Sequence, residues 1–234
     1  MGLYVGTSGY SYKPWKGTFY PKDLPVQQML RFYGERFRTV EINSTFYGMP
    51  KVSTVEGWAD AVPADFKFVL KAPRQITHVR KLNDVGELMS HLLEVAGALA
   101  EHQGPLLFQL PSTSKKDVTR LRAFLALLPL QLRTAFEFRH PSWFDDEVFG
   151  LLRDHRATLC IADADDKLDV PFMATTDWGY LRLRRADYGD AELMEWVKRV
   201  QEQNWEHAFV YFKHEDEGKG PRMANRFREL AESA

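Results

Sequence analysis

Charged and amide side chains stand at the ends of short apolar segments throughout this chain. Glu137 and Arg139 close one such segment, and Glu41 and Lys71 close two others. A carboxylate can act as a general acid or base, and Lys and Arg bind anions through charge-assisted hydrogen bonds. The residues that share this position are Glu41, Lys71, Gln109, Glu137, Arg139, Asp163, Arg182 and Lys213.

The apolar segments alternate with amphipathic ones. Predicted strands occupy residues 3–5, 39–42, 66–70, 106–110, 134–138, 158–161, 180–183 and 209–212. Predicted helices occupy residues 26–37, 52–61, 85–101, 115–128, 145–155, 191–203 and 222–231. This alternation predicts an α/β fold, a TIM-like β/α barrel of about eight parallel strands, whose carboxyl ends would bring the polar endings to one face. An open doubly wound sheet explains so many polar endings less well, because only its switch point faces a ligand.

Local signals refine this prediction. The stretch 164–179 carries no long helical period, so the sixth crossover is expected to be irregular. Asp84 with Glu87 predicts a capping box at the start of the third helix, and Ser114 with Asp117 predicts a weaker one before the fourth.

Composition limits the class of protein. The 234 residues contain no linker-like stretch, which predicts a single β/α-barrel domain over residues 1–234. A formal charge of −1 gives no general attraction to nucleic acid or to a membrane. No apolar window is long enough to span a bilayer, so we expect a soluble cytoplasmic protein without a membrane partner. The single cysteine, Cys160, lies in an apolar run and is interpreted as a small buried hydrophobe.

The direction in which each charged side chain points follows from the alternation of side chains along a strand. If Phe136 and Phe138 pack under the helices, Glu137 and Arg139 point into the barrel. The same reasoning turns inward Glu41, Asn43, Lys67, Lys71, Arg182, Arg184, Tyr211 and Lys213. Basic residues exceed the two glutamates in this set, which predicts a cavity for an anionic ligand such as a phosphate or carboxylate. Alternatively, these residues form internal salt bridges that brace the barrel, and the surplus cations reach out to solvent.

Aromatic residues crowd the segments that follow the first two predicted strands. They are Tyr10, Tyr12, Trp15, Phe19 and Tyr20 after the first strand, and Phe46 and Tyr47 after the second. Their faces could stack a sugar or a base at the mouth, or they could pack on one another as the core of a long loop.

The sequence offers residues for two further kinds of chemistry, acid–base catalysis and metal binding. His78 follows the third strand and could act as an acid or base, although a lone loop histidine is more often a surface group. Glu41, Glu137, His140 and Asp163 are metal-ligand types, but no dense ligand spacing supports a metal, and the alternation turns His140 away from the interior. No cofactor motif is found, and neither a cofactor nor a metal is predicted.

Several motifs together resemble the YecE-like family of uncharacterised proteins, domain of unknown function 72, nearly from end to end. They are Gly6-Thr-Ser-Gly-Tyr-Ser-Tyr12 with Trp15 and Phe19-Tyr-Pro21, Val40-Glu-Ile-Asn-Ser-Thr-Phe-Tyr47, Phe66-Lys-Phe68 with Lys71-Ala-Pro73 and Ile76-Thr-His78, Phe108-Gln-Leu-Pro111, and Glu137-Phe-Arg-His-Pro-Ser-Trp143. The resemblance implies a TIM-like barrel and brings no established reaction. Where the family usually has Tyr-Phe-Asn-Asn, this chain has Tyr211-Phe-Lys-His214, a change in charge at that point.

Three functions stay open from the sequence. The first is an enzyme, a hydrolase or lyase, that acts on an anionic small molecule or nucleic-acid fragment. The second is a glycosidase that uses Glu41 and Glu137, and the third is a non-catalytic ligand- or nucleic-acid-binding protein. Candidate catalytic residues are Glu41, Glu137 and His78, and candidate substrate-binding residues are Lys71, Arg139, Arg182, Gln109, Asn43, Tyr10, Trp15, Tyr47, Tyr211 and Lys213. Oligomeric state stays undetermined.

Overall fold

Eight parallel strands close into a barrel in which each strand bonds to the next in sequence and the last bonds to the first. The computed structural model describes residues 1–165 and 168–234. The strands are β1 Gly2–Ser8, β2 Thr39–Ile42, β3 Lys67–Lys71, β4 Gln103–Gln109, β5 Thr134–Glu137, β6 Ala157–Asp163, β7 Trp178–Leu183 and β8 His207–Phe212. The predicted TIM-like barrel is confirmed.

Helices cover the outside of the barrel. They are α1 Met29–Gly34, α2 Val52–Ala59, α3 Gly86–Gly97, α4 Val118–Leu125, α5 Asp146–Asp154, α6 Asp190–Gln201 and α7 Lys219–Ser233. The described residues between β6 and β7 include no helix, which confirms the irregular sixth crossover. None of the helices in residues 1–165 and 168–234 is long and apolar enough to cross a bilayer.

The strands lie between two apolar layers, one inside the barrel and one under the helices. The barrel interior contains Val69, Leu107, Ala135, Cys160, Trp178, Tyr180, Phe209 and Tyr211. The layer under the helices contains the intervening strand residues, among them Phe68, Leu70, Phe136 and Leu181. Because successive strand side chains alternate, polar residues in phase with the interior set must also point into the barrel.

The helix caps differ in part from the prediction. Asp84 lies two residues before α3 with a φ of 50°, a left-handed conformation, whereas an N-cap residue takes an extended one. The residue at that N-cap is Val85, and no side chain caps it, so the predicted capping box is wrong. At α4 the cap is Asp117 itself, whose carboxylate accepts the Arg120 N–H at 2.9 Å, and Ser114 does not cap the helix.

Candidate functional site

A cavity of about 650 Å³ opens at the carboxyl ends of the strands. Its walls come from the ends of β2, β3, β4, β5, β7 and β8 and from the crossovers that follow. The lining residues are Tyr12, Asn43, Ser44, Phe46, Tyr47, Lys71, Arg74, His78, Gln109, Arg139, Arg182, Arg184, Lys213 and Glu215. A cavity of about 620 Å³ at the opposite end, near Tyr4 and Lys67, has only two basic residues, Lys67 and Arg133, in its lining. The concentration of charge distinguishes the carboxyl-end cavity.

Arg182 joins the two inward glutamates. Its Nη2 donates to Glu41 Oε1 at 2.8 Å and its Nη1 donates to Glu137 Oε2 at 2.5 Å. Glu41 also accepts from the Tyr180 hydroxyl at 2.6 Å and from the Asn43 amide at 3.2 Å. The arginine and both carboxylates are fully buried or nearly so. The fork geometry of one guanidinium therefore holds two carboxylates from strands on different sides of the barrel.

The two carboxylates stay ionised despite their burial. Burial by itself would raise the pKa of each glutamate, but the charge of Arg182 outweighs it, so the pKa of Glu41 lies below its ordinary value. The pKa of Glu137 is held further down, because Arg184 and Arg139 act on it together with Arg182. Neither group is protonated near neutral pH, so neither can serve as a general acid there.

Glu137 also positions two arginines at the cavity wall. Arg139 Nε donates to Glu137 Oε1 at 2.9 Å, and Arg184 Nη2 lies 3.6 Å from the same oxygen. The side chain of Arg139 is 32% exposed and that of Arg184 is 14% exposed, so both reach toward the open side of the cavity. One buried carboxylate thus orders three guanidinium groups.

Lys71 has a different environment. Its Nζ donates to Gln109 Oε1 at 2.9 Å and lies 4.3 Å from the centre of the Phe46 ring. No carboxylate in the described part of the chain forms an ion pair with it. Burial, followed by the charge of Arg182, lowers the pKa of Lys71 to about 8. Within the described residues, the polar and aromatic partners of its Nζ are therefore a neutral amide and a ring face.

His78 lies at the rim of the cavity on a single π-helical turn, Gln75–Val79, after β3. Its Nδ1 is 2.9 Å from Thr77 Oγ1, and its ring meets the Phe46 ring edge-on at 4.8 Å. Burial and the charge of Lys71 lower its pKa, so the imidazole is neutral near pH 7. A neutral imidazole can accept a proton.

Most of the predicted binding residues meet in this cavity. Its lining includes Asn43, Tyr47, Lys71, His78, Gln109, Arg139, Arg182 and Lys213. Glu41 and Glu137 are not in the lining; both are buried and bonded to Arg182.

Three predicted aromatic residues lie elsewhere. Trp15 is fully buried and packs against Tyr12 and Tyr20, which gives the first crossover a core of its own. Tyr10 packs toward Tyr33 of α1. Tyr211 is fully buried in the barrel, where its hydroxyl lies 2.6 Å from Thr39 Oγ1. None of the three lines the cavity.

Two charged residues also differ from their expected placement. Asp163 was expected at the mouth, but on β6 it is out of phase with the inward Cys160, and its carboxylate binds Arg185 Nε at 2.9 Å and the Tyr188 hydroxyl at 3.0 Å. Lys67 points inward at the amino-terminal end of β3, about 13 Å of strand from Lys71, and donates to the Glu101 carbonyl. Its charge adds nothing to the cavity.

The prediction missed several lining residues. Arg74 follows Lys71-Ala-Pro73 directly, so its place after β3 was readable from the chain. Strand alternation predicts that Arg184 faces inward, but it does not identify this residue as a ligand-binding one. Glu215 and Ser44 lie in crossovers, where strand alternation gives no guide to direction.

The described residues contain no group of three or more His, Cys, Asp or Glu side chains placed to hold a metal ion. Asp163 and His140 are turned toward Arg185 and Ser142, away from the two glutamates. Glu41, Glu137, His140 and Asp163 therefore do not converge on one point.

Known proteins with similar sequences carry no assigned activity in their names. The chain is 31% identical over 143 residues to UPF0759 protein YecE of Escherichia coli, and 28% identical over 156 residues to UPF0759 protein YunF of Bacillus subtilis. These matches cover 61% and 63% of this chain, and the chain spans about half the length of these relatives, 50% and 54%.

Solved structures extend the likeness over the whole chain. A DUF72 family protein from Thermotoga maritima superposes with a TM-score of 0.89 at 29% identity, covering 99% of this chain and 100% of that one. A GH5-4 broad specificity endoglucanase from Clostridium longisporum has a TM-score of 0.50 at 9% identity over 100% of this chain and 96% of that one, which is a likeness of fold alone. The profile of the family described as protein of unknown function DUF72 matches residues 4–234, and the chain belongs to that family.

Proposed function

We propose that this protein is an enzyme, a hydrolase or lyase, that binds a phosphate- or carboxylate-bearing small molecule in the carboxyl-end cavity. The observation that carries the proposal is the excess of positive charge there. Six basic side chains, Lys71, Arg74, Arg139, Arg182, Arg184 and Lys213, line the cavity with one acidic residue, Glu215. Even with Glu41 and Glu137 counted, the cations exceed the carboxylates by three. A chain of net charge −1 thus concentrates positive potential in one concave site.

Several of these cations have donors without a hydrogen-bond partner among the residues that the structure describes. Arg139 donates to Glu137 through its Nε alone, and its side chain is partly exposed. Lys71, Arg74 and Lys213 form no ion pair with any carboxylate in residues 1–165 and 168–234. The alternative of a fully matched internal salt-bridge network accounts for Arg182, but it leaves these groups unexplained. Free donors that converge on a cavity favour an oxyanion as the ligand.

His78 is the group in this lining best suited to acid–base chemistry, because its imidazole is neutral and borders the cations. Glu41 and Glu137 act as positioning residues for Arg182, Arg139 and Arg184. The same bonds count against the glycosidase alternative, since that mechanism needs one carboxyl group to be protonated and both to face the sugar.

A non-catalytic protein that binds a nucleic-acid fragment is the second candidate. Tyr47 is 79% exposed beside the basic lining and lies against Phe46 with ring centroids 5.2 Å apart. An exposed aromatic face next to cations is suited to stacking a base whose phosphate binds the cavity.

Titration calorimetry with inorganic phosphate and with citrate tests the ligand class. We expect Arg139→Gln to weaken binding at least tenfold, because a hydrogen bond to a charged group contributes about 1.5–3 kcal/mol. Arg122→Gln, an exposed residue on α4, is the matched control and should bind as the wild type does. Equal affinity of wild type and Arg139→Gln for both anions contradicts the proposed site.

Catalysis is tested separately by a screen of phosphate monoesters and carboxylates for product formation. We expect His78→Asn to retain phosphate binding and to lose turnover, since the amide can form hydrogen bonds but cannot take up a proton. Turnover that His78→Asn leaves unchanged excludes the assigned acid–base role. Tight binding without product from any compound selects the non-catalytic candidate.

A further inference from the structure

We infer that Lys71 is a nucleophile that forms a Schiff base with its substrate, so that the ligand class is an aldehyde or ketone that also carries a carboxylate or phosphate. This inference rests on the proposed anion site, because the same cavity would hold the charged group of the substrate next to the amine.

The partners of Lys71 set it apart from the other buried cation of the site. Arg182 is 2% exposed and is matched by two carboxylates. Lys71 is 9% exposed and lines the cavity; its Nζ donates to the Gln109 amide oxygen and lies over the Phe46 ring, and it forms no ion pair with a carboxylate among the described residues. A structural lysine in such a place is expected to pair with a carboxylate, because an unpaired buried ammonium is costly. An amine held by one neutral acceptor at a cavity wall can instead attack a bound carbon atom.

The electrostatics favour the neutral, nucleophilic form of the amine. Burial and the neighbouring arginine lower the pKa of Lys71 to about 8, so about a tenth of the amine is unprotonated at pH 7. An exposed lysine with a pKa near 10.4 would have less than about a thousandth in that form. Desolvation and a nearby cation are the usual means of activating a Schiff-base lysine.

The reaction is balanced with groups in the same cavity. The Lys71 nitrogen attacks the carbonyl carbon, a C–N bond forms, and one proton moves from nitrogen to the carbonyl oxygen. The C–O bond then breaks as the nitrogen lone pair forms the C=N bond, and the oxygen leaves as water with a second proton from the His78 imidazolium, which forms when the imidazole first deprotonates the Lys71 ammonium. The neutral imidazole of His78 borders the cavity and can carry these protons. Arg139 and Arg184 bind the carboxylate or phosphate, and no oxidant or reductant is required.

Trapping with glyoxylate and sodium borohydride tests the inference. Borohydride delivers a hydride to the imine carbon and leaves a stable secondary amine, which peptide mass spectrometry locates. We expect one reduced adduct on Lys71 in the wild type and its loss in Lys71→Arg, which keeps the positive charge. Lys67→Arg is the matched control, because Lys67 lies on the same strand at the other end of the barrel, and its adduct yield should equal that of the wild type.

Two probes separate failure of the nucleophile from failure of the anion site. Acetaldehyde, which has no carboxylate, should label Lys71 at least about tenfold less than glyoxylate at equal concentration, as expected if one charge-assisted bond holds the carboxylate. Glycolate has the carboxylate but no carbonyl, and it should compete with glyoxylate. Binding of glycolate or phosphate without any adduct on wild-type Lys71, or an adduct yield no higher on Lys71 than on exposed lysines, overturns the Schiff-base inference alone. If glyoxylate, glycolate and phosphate all fail to bind, the proposed function is overturned as well.

Discussion

Arg182 is the residue on which the interior of the barrel mouth depends. Its guanidinium is buried and bonds to two buried carboxylates, each of which has further hydrogen bonds. A buried network of this kind costs desolvation energy, and removing one partner leaves uncompensated charge. Removing one member of the network should therefore destabilise the protein more than removing all three.

We expect Arg182→Met to lower the free energy of unfolding by about 3–5 kcal/mol near neutral pH, because Glu41 and Glu137 would be buried without their shared cation. Urea unfolding measures this change. The variant that combines Arg182→Met with Glu41→Gln and Glu137→Gln should recover much of the loss, since no buried charge is left unmatched among the three. A triple variant less stable than Arg182→Met would contradict this account.

The effect of pH on the free energy of unfolding should have opposite signs for the buried glutamates of the wild type and of Arg182→Met. In the wild type both glutamate pKa values lie below their ordinary value, so this stabilisation is present above the unfolded pKa of about 4.3 and is lost as pH falls through the folded values. In Arg182→Met burial raises the pKa of Glu41, which keeps no arginine partner among the described residues, so the stability deficit should shrink as pH falls toward the unfolded pKa of about 4.3. Urea midpoints at several pH values measure the two slopes; parallel slopes would refute the assignment.

Lys71 predicts a pH dependence of anion binding. Because its pKa is about 8, its charge is present below that pH and disappears above it, so phosphate affinity should fall as pH rises through about 8. In Lys71→Arg the added guanidinium stays charged and this step should vanish. Calorimetric titration of both proteins from pH 6.5 to 9.5, about 1.5 units either side of the expected step, makes the comparison. An identical step in Lys71→Arg would assign the titration to another group.

At the scale of elements, β1 can lie against β2 only because a glycine stands at position 6. A Cβ built there would lie 2.2 Å from the Thr39 carbonyl oxygen, which is backbone and cannot turn aside. Gly57 on α2 is the opposite case, because a Cβ there meets nothing within 4 Å. Close packing of strands, and not backbone conformation, explains Gly6.

Gly6→Ala should lower the free energy of unfolding by about 1–3 kcal/mol or more, because strands β1 and β2 must move apart. Gly57→Ala makes the same chemical change in an exposed helical position and should raise it by about 0.5–1 kcal/mol. Thermal or urea unfolding of the pair gives the comparison. A tolerated Gly6→Ala would show that the sheet can open at this point.

For the whole molecule, the near-neutral charge restricts which nucleic acids the protein can bind. The 31 basic and 32 acidic residues balance, whereas six basic residues and one acidic residue line the carboxyl-end cavity. A cavity of this size can neutralise only a few phosphates, whereas duplex binding needs a broad basic surface.

Under the second candidate function, binding of a short single-stranded oligonucleotide should weaken only mildly with salt, with a slope of log affinity against log salt of about 2 or less in magnitude. Fluorescence anisotropy at several salt concentrations measures it. Inorganic phosphate should displace the oligonucleotide, and Tyr47→Ala should weaken binding without changing the slope. A steep slope that phosphate does not affect would indicate a surface other than the cavity.

The barrel, the irregular sixth crossover and the inward facing of Glu41, Glu137 and Arg182 were predictable from the sequence, because strand alternation is a local property of the chain. Alternation also identifies which residues approach the mouth when they lie within a strand.

Tertiary structure decided everything that depends on partners. Only the closed barrel shows that Glu41 and Glu137 both bond to Arg182, which leaves Lys71 beside an amide, and that Trp15 and Tyr211 are enclosed in packed interiors. The bond between Glu41 and Arg182 joins residues 141 positions apart, and its geometry comes from the closure of eight strands. Neighbours in sequence determine whether a strand side chain points into or out of the barrel. Neighbours in space determine its charge state and its accessibility.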